Sequence, residues 1–385
     1  MKFLVIGGGV CGLFLSYYLL KSGHDVSVVD AKKGKVRTSA YNAGQLSLRP
    51  SFTDVTKESY WLSKERRLER PWLELARGQS RRSYDRTATL LAERSLALYR
   101  EFFSREKAKV DLVDKILELH SSLPEGRGAH SGGRFMSPKE LAEVGYKGFE
   151  GGWLIDEWSL YSVKLLQHLQ RRVEELGGRI VRGSAALNKR GSKIAYASVG
   201  GRKEEADIYV VAAGSWSREV CRPLGFDPMV IPARGLVLFY GTGGHRVIDY
   251  PAHYEEEAVA AAQHDRETLR FTSYFELAGF DPRFSKAKVE RLRRAVTSHF
   301  SRARSLKLEE MGVGYRPSTP DQLPVVGKIP RCANGYVLTG ATRKGMALAP
   351  LLGKILIAKM TEEQEDEMMP ALDPGRFERK SPSRF

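Results

Sequence analysis

The feature that most constrains this chain lies at its extreme N-terminus. An apolar run, Phe3 to Ile6, leads into Gly7-Gly8-Gly9-Val10-Cys11-Gly12, then into the apolar stretch Leu13 to Leu20, then into Val26 to Val29, which ends on Asp30. The order reads as strand, tight turn, helix, strand. The glycines match GxGxxG, and an acidic residue follows at about the expected distance of 20 residues. The first glycine permits the tight turn, the second admits a pyrophosphate against bare backbone, and the third lets the helix pack closely. Phosphates would then sit at the positive end of the helix, with Asp30 and the adjoining Ala31 beside the adenosine ribose. A glycine-rich turn between core elements is the alternative reading, and the complete strand–helix–strand context favours the dinucleotide. The motif does not choose between FAD and NAD.

At 385 residues the chain has material for about two domains and a buried cofactor. Its 42% hydrophobic and 28% charged residues exclude disorder. Cys11, Cys221 and Cys332 are far apart without a CxxC pair, so neither a disulfide framework nor a structural metal site is expected, and a cytoplasmic location follows. Glycines interrupt the apolar N-terminus, which excludes a signal peptide, and no stretch of about 18 apolar residues suggests a membrane span. The net charge of +16 implies attraction to something anionic: nucleic acid, an acidic lipid surface or an acidic redox partner. Asparagine occurs only at Asn42, Asn188 and Asn334 amid abundant Arg, Lys and Glu, a pattern associated with hot environments.

Along the chain, residues 53–109 read as amphipathic helices with basic outer faces, and Leu160 to Leu176 as a helix closed by Gly177 and Gly178. Arg179 to Val181 and Ala206 to Ala212 read as strands returning to the first sheet. From Met229 to Phe275 the β-branched and aromatic content rises, which predicts a second, mainly antiparallel sheet. A helix at Ser285 to Ser301 follows, then strand and helix character from Leu323 to Met360. The segment after Thr361 reads as a loose acidic and basic tail. The strand Ala206 to Ala212 runs into Ala213-Gly214-Ser215-Trp216, small residues that would let its end approach a cofactor.

Four ordered segments carry a family resemblance: GGGVCG at residues 7–12, Thr38-Ser39-Ala40-Tyr41-Asn42-Ala43-Gly44-Gln45, VVAAGSWS at 210–217, and Gly314 to Pro324. Together they resemble the D-amino-acid oxidase superfamily of FAD-dependent oxidoreductases. Within it the chain is most similar to the D-amino-acid dehydrogenase and D-proline dehydrogenase branch. The resemblance implies an α/β fold: a discontinuous Rossmann-type FAD-binding domain of glutathione-reductase type, joined to an α+β substrate domain with a mixed sheet. The expected FAD domain comprises residues 1–85, 146–222 and 310–370. The substrate domain takes 86–145 and 223–309, and 371–385 is a loosely ordered tail.

For the site, the resemblance implies non-covalent FAD held by Gly7, Gly9, Val10, Cys11, Gly12, Asp30 and Ala31. Thr38, Ser39, Asn42, Ala43, Gly44 and Gln45 would line the flavin and its phosphates, and Gly214 and Trp216 would pass near the adenine half. Gly340, Arg343, Lys344, Gly345 and Met346 occupy the last Gly-rich flavin loop. There Arg343 and Lys344 depart from the family's glycine, histidine and small residues, and either reinforce anion stabilisation at the reduced flavin or face solvent. Arg316 falls on the substrate-carboxylate arginine, a role that suits a planar, always-charged donor fork. Arg234, Gly235, Tyr240, Tyr250, Tyr254, Tyr274 and Glu276 are candidates for the substrate face, with Tyr254 and Tyr274 preferred beside Arg316.

The implied activity is oxidation of a small amino acid or amine, such as D-proline or D-alanine, by hydride transfer to flavin N5. This demands positioning more than acid–base chemistry. The branch resemblance and the basic region 57–109 favour a dehydrogenase that hands electrons to a quinone or carrier, peripherally at the inner face of a membrane. A solvated basic surface is the plainer account of that region. Two other functions remain: an FAD enzyme acting on a tRNA-borne amine, although nucleic acid is the less favoured partner, and a non-catalytic FAD-holding subunit of a hetero-oligomer. A homo-oligomer is equally open, and an NAD-dependent dehydrogenase ranks last.

Overall fold

The computed structural model describes residues 1–31, 38–47, 70–123, 133–254, 256–300, 305–361 and 367–378. The N-terminal signature folds as it reads: β1 (Lys2–Ile6), α1 (Val10–Lys21) and β2 (Asp25–Asp30) form a parallel βαβ unit. β1 is at the centre of a six-stranded sheet. The order is Val325–Lys328, Gly335–Thr339, Ile208–Val211, β1, β2, Arg179–Arg182, and only the Val325–Lys328 edge runs antiparallel.

Such a sheet must be covered on both faces, and strand alternation divides the apolar residues between two layers. Phe3, Val5 and Val210 enter the core beneath the helices, whereas Leu4, Ile6, Tyr209 and Val211 meet a small antiparallel sheet of Ala185–Arg190, Lys193–Val199 and Arg202–Glu204. The helical layer comprises α1, Ser162–Glu175, Gly345–Thr361 and Arg81–Glu106. α1 is buried around most of its circumference, as a helix apolar on all sides should be. Pro350 interrupts the Gly345–Thr361 helix, so the carbonyl of Met346 loses its usual donor. Tyr99 Oη, from the Arg81–Glu106 helix, donates to that carbonyl at 2.5 Å.

The second sheet has eight strands, in the order Lys307–Ser318, Ile231–Gly241, Thr268–Glu276, Val259–Ala262, Ala252–Tyr254, Ile116–His120, Gly151–Ile155, Arg134–Met136. All neighbours are antiparallel except Ala252–Tyr254 with Ile116–His120. One face carries Leu236, Leu238, Tyr240 and Phe271 against Leu292 and Val296 of the Lys286–His299 helix. The opposite face meets the segment Thr38–Gln45: the Tyr41 ring packs on Phe239, and Tyr41 Oη donates to Glu310 at 2.8 Å.

Strand pairing and packing depart from the expected boundaries. Arg81–Glu106 packs on α1 and Gly345–Thr361, not on the second sheet, because its Tyr84, Leu91, Tyr99 and Phe102 are apolar and face that helical layer. Lys307–Ser318 and Gly151–Ile155 pair within the eight-stranded sheet. The expected loose tail is packed over 371–378, where Leu372 and Phe377 are buried and Arg376 pairs with Asp321 at 2.8 Å. Residues 379–385, and 57–69 of the basic region, lie outside the described residues. No described helix is long and apolar enough to cross a membrane.

Candidate active site

At the α1 N-terminus, the glycines are fixed by contact. Gly7 has φ +123°, and a Cβ there would lie 2.2 Å from the Ala212 carbonyl oxygen; one on Gly12 would lie 2.0 Å from the Gly7 oxygen. Gly9 is the N-cap and offers no side-chain acceptor, and the first turn holds no acidic residue. The helix end therefore presents backbone N–H groups and positive partial charge, with Ser39 Oγ accepting from the Val10 amide at 3.3 Å. Asp30 ends β2 close enough to Gly8 that a Cβ there would meet its side chain at 2.9 Å, and its carboxylate accepts from Arg182 Nη1 at 2.6 Å. Ala31 beside it is exposed. A glycine-capped helix end without an acidic residue in its first turn, next to a carboxylate, fits a pyrophosphate and its ribose.

The first turns of two helices meet at this place. Cys11 Sγ of α1 lies 3.8 Å from the carbonyl oxygen of Gly345, the first residue of the C-terminal helix. Burial pushes the Cys11 thiol up to about 12, so it stays protonated. Gly340, with φ +76°, makes the turn before that helix, and Met346 is buried in its first turn. Of the two unusual cations there, Lys344 is buried and donates from Nζ to the Ser47 carbonyl at 3.1 Å. Burial lowers it to about 8, opposed by the charge of Glu157. Arg343 is exposed and lies over the Phe275 ring.

Segment 38–45 spans the two sheets. Thr38 Oγ1 donates to the Tyr315 carbonyl at 2.9 Å and accepts from the Tyr315 amide at 3.0 Å. Asn42 closes the turn on itself, donating to the Ser39 carbonyl and accepting from the Gly44 amide, both at 2.7 Å. Gly44 has φ +73° and would place a Cβ 1.9 Å from the Leu160 oxygen. Ala43 receives the Ser159 hydroxyl at 3.3 Å, and Gln45 donates to the Ala252 carbonyl at 3.3 Å.

Arg316 is on the face of Lys307–Ser318 that meets this segment. Gly312 and Gly314 share that face, and there a Cβ on Gly312 would strike the Tyr41 ring at 2.6 Å. The Arg316 guanidinium lies over Gly235 of the neighbouring strand, where a Cβ would come within 2.2 Å of Nη1. Nη1 donates to the Tyr274 carbonyl at 3.0 Å. Burial and the charge of Arg343 lower Arg316 to about 9, still cationic at neutral pH.

The preferred tyrosines belong to the other face. Tyr254 is packed edge-on against Phe149 and His299, and Tyr274 Oη donates to the Lys288 carbonyl at 2.8 Å, within the Lys286–His299 helix. A bulge turns Tyr274 there: it has φ +68°, where the pairing of Ile231–Gly241 with Thr268–Glu276 shifts register. Tyr274 reaches Arg316 through its carbonyl alone. Arg234 and Glu276 also leave the expected substrate face for a buried network. Arg234 Nε donates to Glu276 at 2.9 Å, Lys288 pairs with the same carboxylate, and Arg234 Nη1 donates to the carbonyls of Asp281 and Arg283. Tyr240 is in the apolar core on this side, with Tyr250 packed against it. Trp216 stacks on Phe280 at 4.9 Å and meets Tyr315 edge-on, while Gly214, with φ +56°, accepts from Thr339 Oγ1 at 2.9 Å.

Sequence reading missed a buried chain of polar groups. Arg270 Nη1 donates to the Asn42 carbonyl at 2.9 Å and the Ala40 carbonyl at 3.3 Å, and its Nη2 lies 3.3 Å from His264 Nδ1. A guanidinium only donates, so Nδ1 is the acceptor and Nε2 carries the proton, which goes to Ser159 Oγ at 2.7 Å. Ser159 Oγ in turn donates a hydrogen bond to the Ala43 carbonyl at 3.3 Å. Burial, with Arg270 and Arg246, holds His264 well below its usual range, which keeps it neutral. The available signal was an arginine inside the apolar run Leu269 to Phe275.

The comparisons with known proteins bear on the family and the fold. A D-amino acid dehydrogenase of Vibrio vulnificus (strain YJ016) is 27% identical over 421 residues, covering 98% of this chain and all of that protein. Among solved structures, iminodiacetate oxidase from Chelativorans sp. BNC1 superposes with a TM-score of 0.77 at 16% identity, covering 97% of this chain and 98% of that one. Glycine oxidase from Bacillus cereus ATCC 14579 follows at 0.74 and 14%, covering 96% and 99%. The family model described as FAD dependent oxidoreductase (DAO) matches residues 2–359, and the chain belongs to that family of FAD-dependent amino-acid oxidases and dehydrogenases.

Proposed function

We propose that this chain oxidises the amine of a small amino acid, such as a D-amino acid, with non-covalently held FAD, and passes the electrons to a quinone or other carrier. The observation that carries the reading is Arg316. It is a desolvated guanidinium laid over a glycine, on the sheet face that meets the segment 38–45. Its fork binds the substrate carboxylate and fixes the α-carbon. The α1 N-terminus with Ser39 holds the pyrophosphate and Asp30 the ribose. Gly340, Gly345 and the residues of 38–45 border the flavin. Non-covalent binding is supported by the thiols, since Cys11 is held protonated and Cys221 and Cys332 are in the apolar core.

Bound FAD supplies a two-electron acceptor. The chain's task is to select the neutral amine, orient its C–H bond and exclude water from the reacting face. The substrate loses its α-hydrogen with an electron pair, then an N–H proton, giving an imine. Water converts the imine of a primary amine to a keto acid and ammonia. Transfer to a carrier is supported by the exposed side of Arg81–Glu106, where Arg82, Arg86 and Arg100 stand beside the ion pairs Arg81–Asp85 and Arg105–Glu101 and suit an anionic docking partner.

The test is anaerobic bleaching of the purified yellow protein by D-proline, D-alanine, glycine or sarcosine, followed by dye reduction and peroxide assays. Bleaching with dye reduction and little peroxide is expected. A flavin that no amino acid reduces would sink the reading.

A further inference from the structure

Arg270 is a buried charge that meets no anion among the described residues. It is 3% exposed, on the strand Thr268–Glu276. Its Nη1 donates to the carbonyls of Asn42 and Ala40 and to Ser162 Oγ at 3.4 Å, and its Nη2 donates to His264 Nδ1. The guanidinium carbon lies 4.8 Å from the centroid of the Tyr161 ring. Each of these partners is neutral at neutral pH, since burial holds His264 below its usual range and raises Tyr161. Asp265 acts on Arg270 through space, its Oδ1 being taken by the amides of Glu267 and Thr268. Burial lowers the guanidinium to about 10, so it stays charged at pH 7. A desolvated cation is costly unless an anion offsets it.

The main chain of residues 42 and 43 leads from this charge to the other side of the segment. A trans peptide points its C=O and its N–H in opposite directions. The Asn42 carbonyl is bonded to Arg270, so the Ala43 N–H is directed away from it. Among the described residues that N–H meets no acceptor, while its neighbours are used: the Gly44 amide donates to Asn42 Oδ1 and the Ala43 carbonyl accepts from Ser159. A hydrogen bond to a cation polarises the peptide and strengthens its donor. Two-electron reduction adds negative charge to bound FAD. We propose that Arg270 is a positioning residue whose charge, carried through the Asn42–Ala43 peptide, favours reduced over oxidised FAD and so raises the reduction potential. This rests on the reading above, in which 38–45 borders the flavin. Arg316 then serves the substrate carboxylate, and Arg270 the charge that oxidation delivers.

The experiment uses the FAD-loaded protein and two substitutions. Arg270→Lys keeps a charge, whereas Arg270→Gln keeps a hydrogen-bond donor and is neutral. Midpoint potentials are measured against reference dyes with dithionite as reductant, and sulfite, which forms an anionic adduct with oxidised flavin, is titrated by the loss of visible absorbance. A unit charge acting across one peptide, about 8 Å away in surroundings of intermediate dielectric, is worth about tenfold or more in such an equilibrium. Arg270→Gln should shift the dye equilibrium by about that factor toward oxidised flavin, about 30 mV for a two-electron couple, and weaken sulfite similarly. Arg270→Lys should remain near the parent in both. Flavin content and melting temperature report the structural role, which both substitutions disturb. Equal potentials in the two variants would overturn the proposal. Should neither variant retain FAD, the unaltered protein decides: its reduced flavin is expected to be anionic by absorbance at pH 7, and a neutral reduced flavin overturns the proposal. A potential that follows the charge at position 270, in a flavin that no amino acid reduces, would leave this assignment standing and sink the amine reading.

Discussion

Gly235 shows how much one missing side chain decides at the residue scale. Arg316 can occupy this place over the sheet only because position 235 has no Cβ, and a methyl group there would come within 2.2 Å of Nη1. Gly235→Ala should therefore raise KM for the amino acid by about tenfold or more, with FAD content unchanged, because a displaced guanidinium loses its charged hydrogen bonds. An unaltered KM would show that Arg316 does not bind substrate from this position. Lys344 makes a second, pH-dependent prediction. Its folded pKa of about 8 is below the ordinary value of 10.5, so between these limits the unfolded chain binds a proton that the folded chain lacks. Stability of the FAD-free protein should rise with pH across that window. At pH 7 both states are protonated and the penalty of the buried charge is present in full. Denaturant melts of Lys344→Met should lose this rise, which is worth on the order of 3 kcal/mol. Parallel pH profiles for parent and variant would refute the assignment.

At the scale of elements, the segment 38–45 depends on the second sheet for its shape. Arg270 reaches it from the middle of a strand and satisfies the carbonyls of Ala40 and Asn42, while His264 and Ser159 extend the chain to Ala43. Arg270→Met should leave those acceptors buried without a charged donor, at a cost of about 1–3 kcal/mol. We expect weaker FAD retention, read by fluorescence on dilution, along with the lower melting temperature. A variant that melts earlier but holds FAD as tightly would reduce Arg270 to a purely structural tie. The motif residues Thr38 to Gln45 were legible in the sequence because they are contiguous. Their partner Arg270 was not, since nothing local links position 270 to position 42. The tyrosines failed for a related reason. They were chosen because tyrosines recur in this region of the family, and nothing local to Leu269–Phe275 announces the bulge that turns the Tyr274 ring to the helix side.

At the scale of the whole molecule, on the proposed reading the parallel sheet supplies the nucleotide cradle, while segment 38–45, tied to the eight-stranded sheet through Tyr315 and Glu310, borders the flavin, so bound FAD would couple both sheets. Removing FAD should then lower the melting temperature of the entire molecule in one transition, and free FAD at about a thousandfold excess over its Kd should restore roughly 4 kcal/mol. Two separated transitions would show that the sheets fold independently. The sequence by itself determined the βαβ unit, because strand period, glycine turn, helix and acidic strand end are all local properties of thirty residues. It also determined the existence of a second, mainly antiparallel sheet and the family. Only the tertiary structure decided which sheet claimed Lys307–Ser318, that Arg81–Glu106 packs on the nucleotide side, and that Arg270 meets the carbonyls of Ala40 and Asn42. Those outcomes depend on pairing and burial between residues tens to hundreds of positions apart, and no periodicity in the sequence records them.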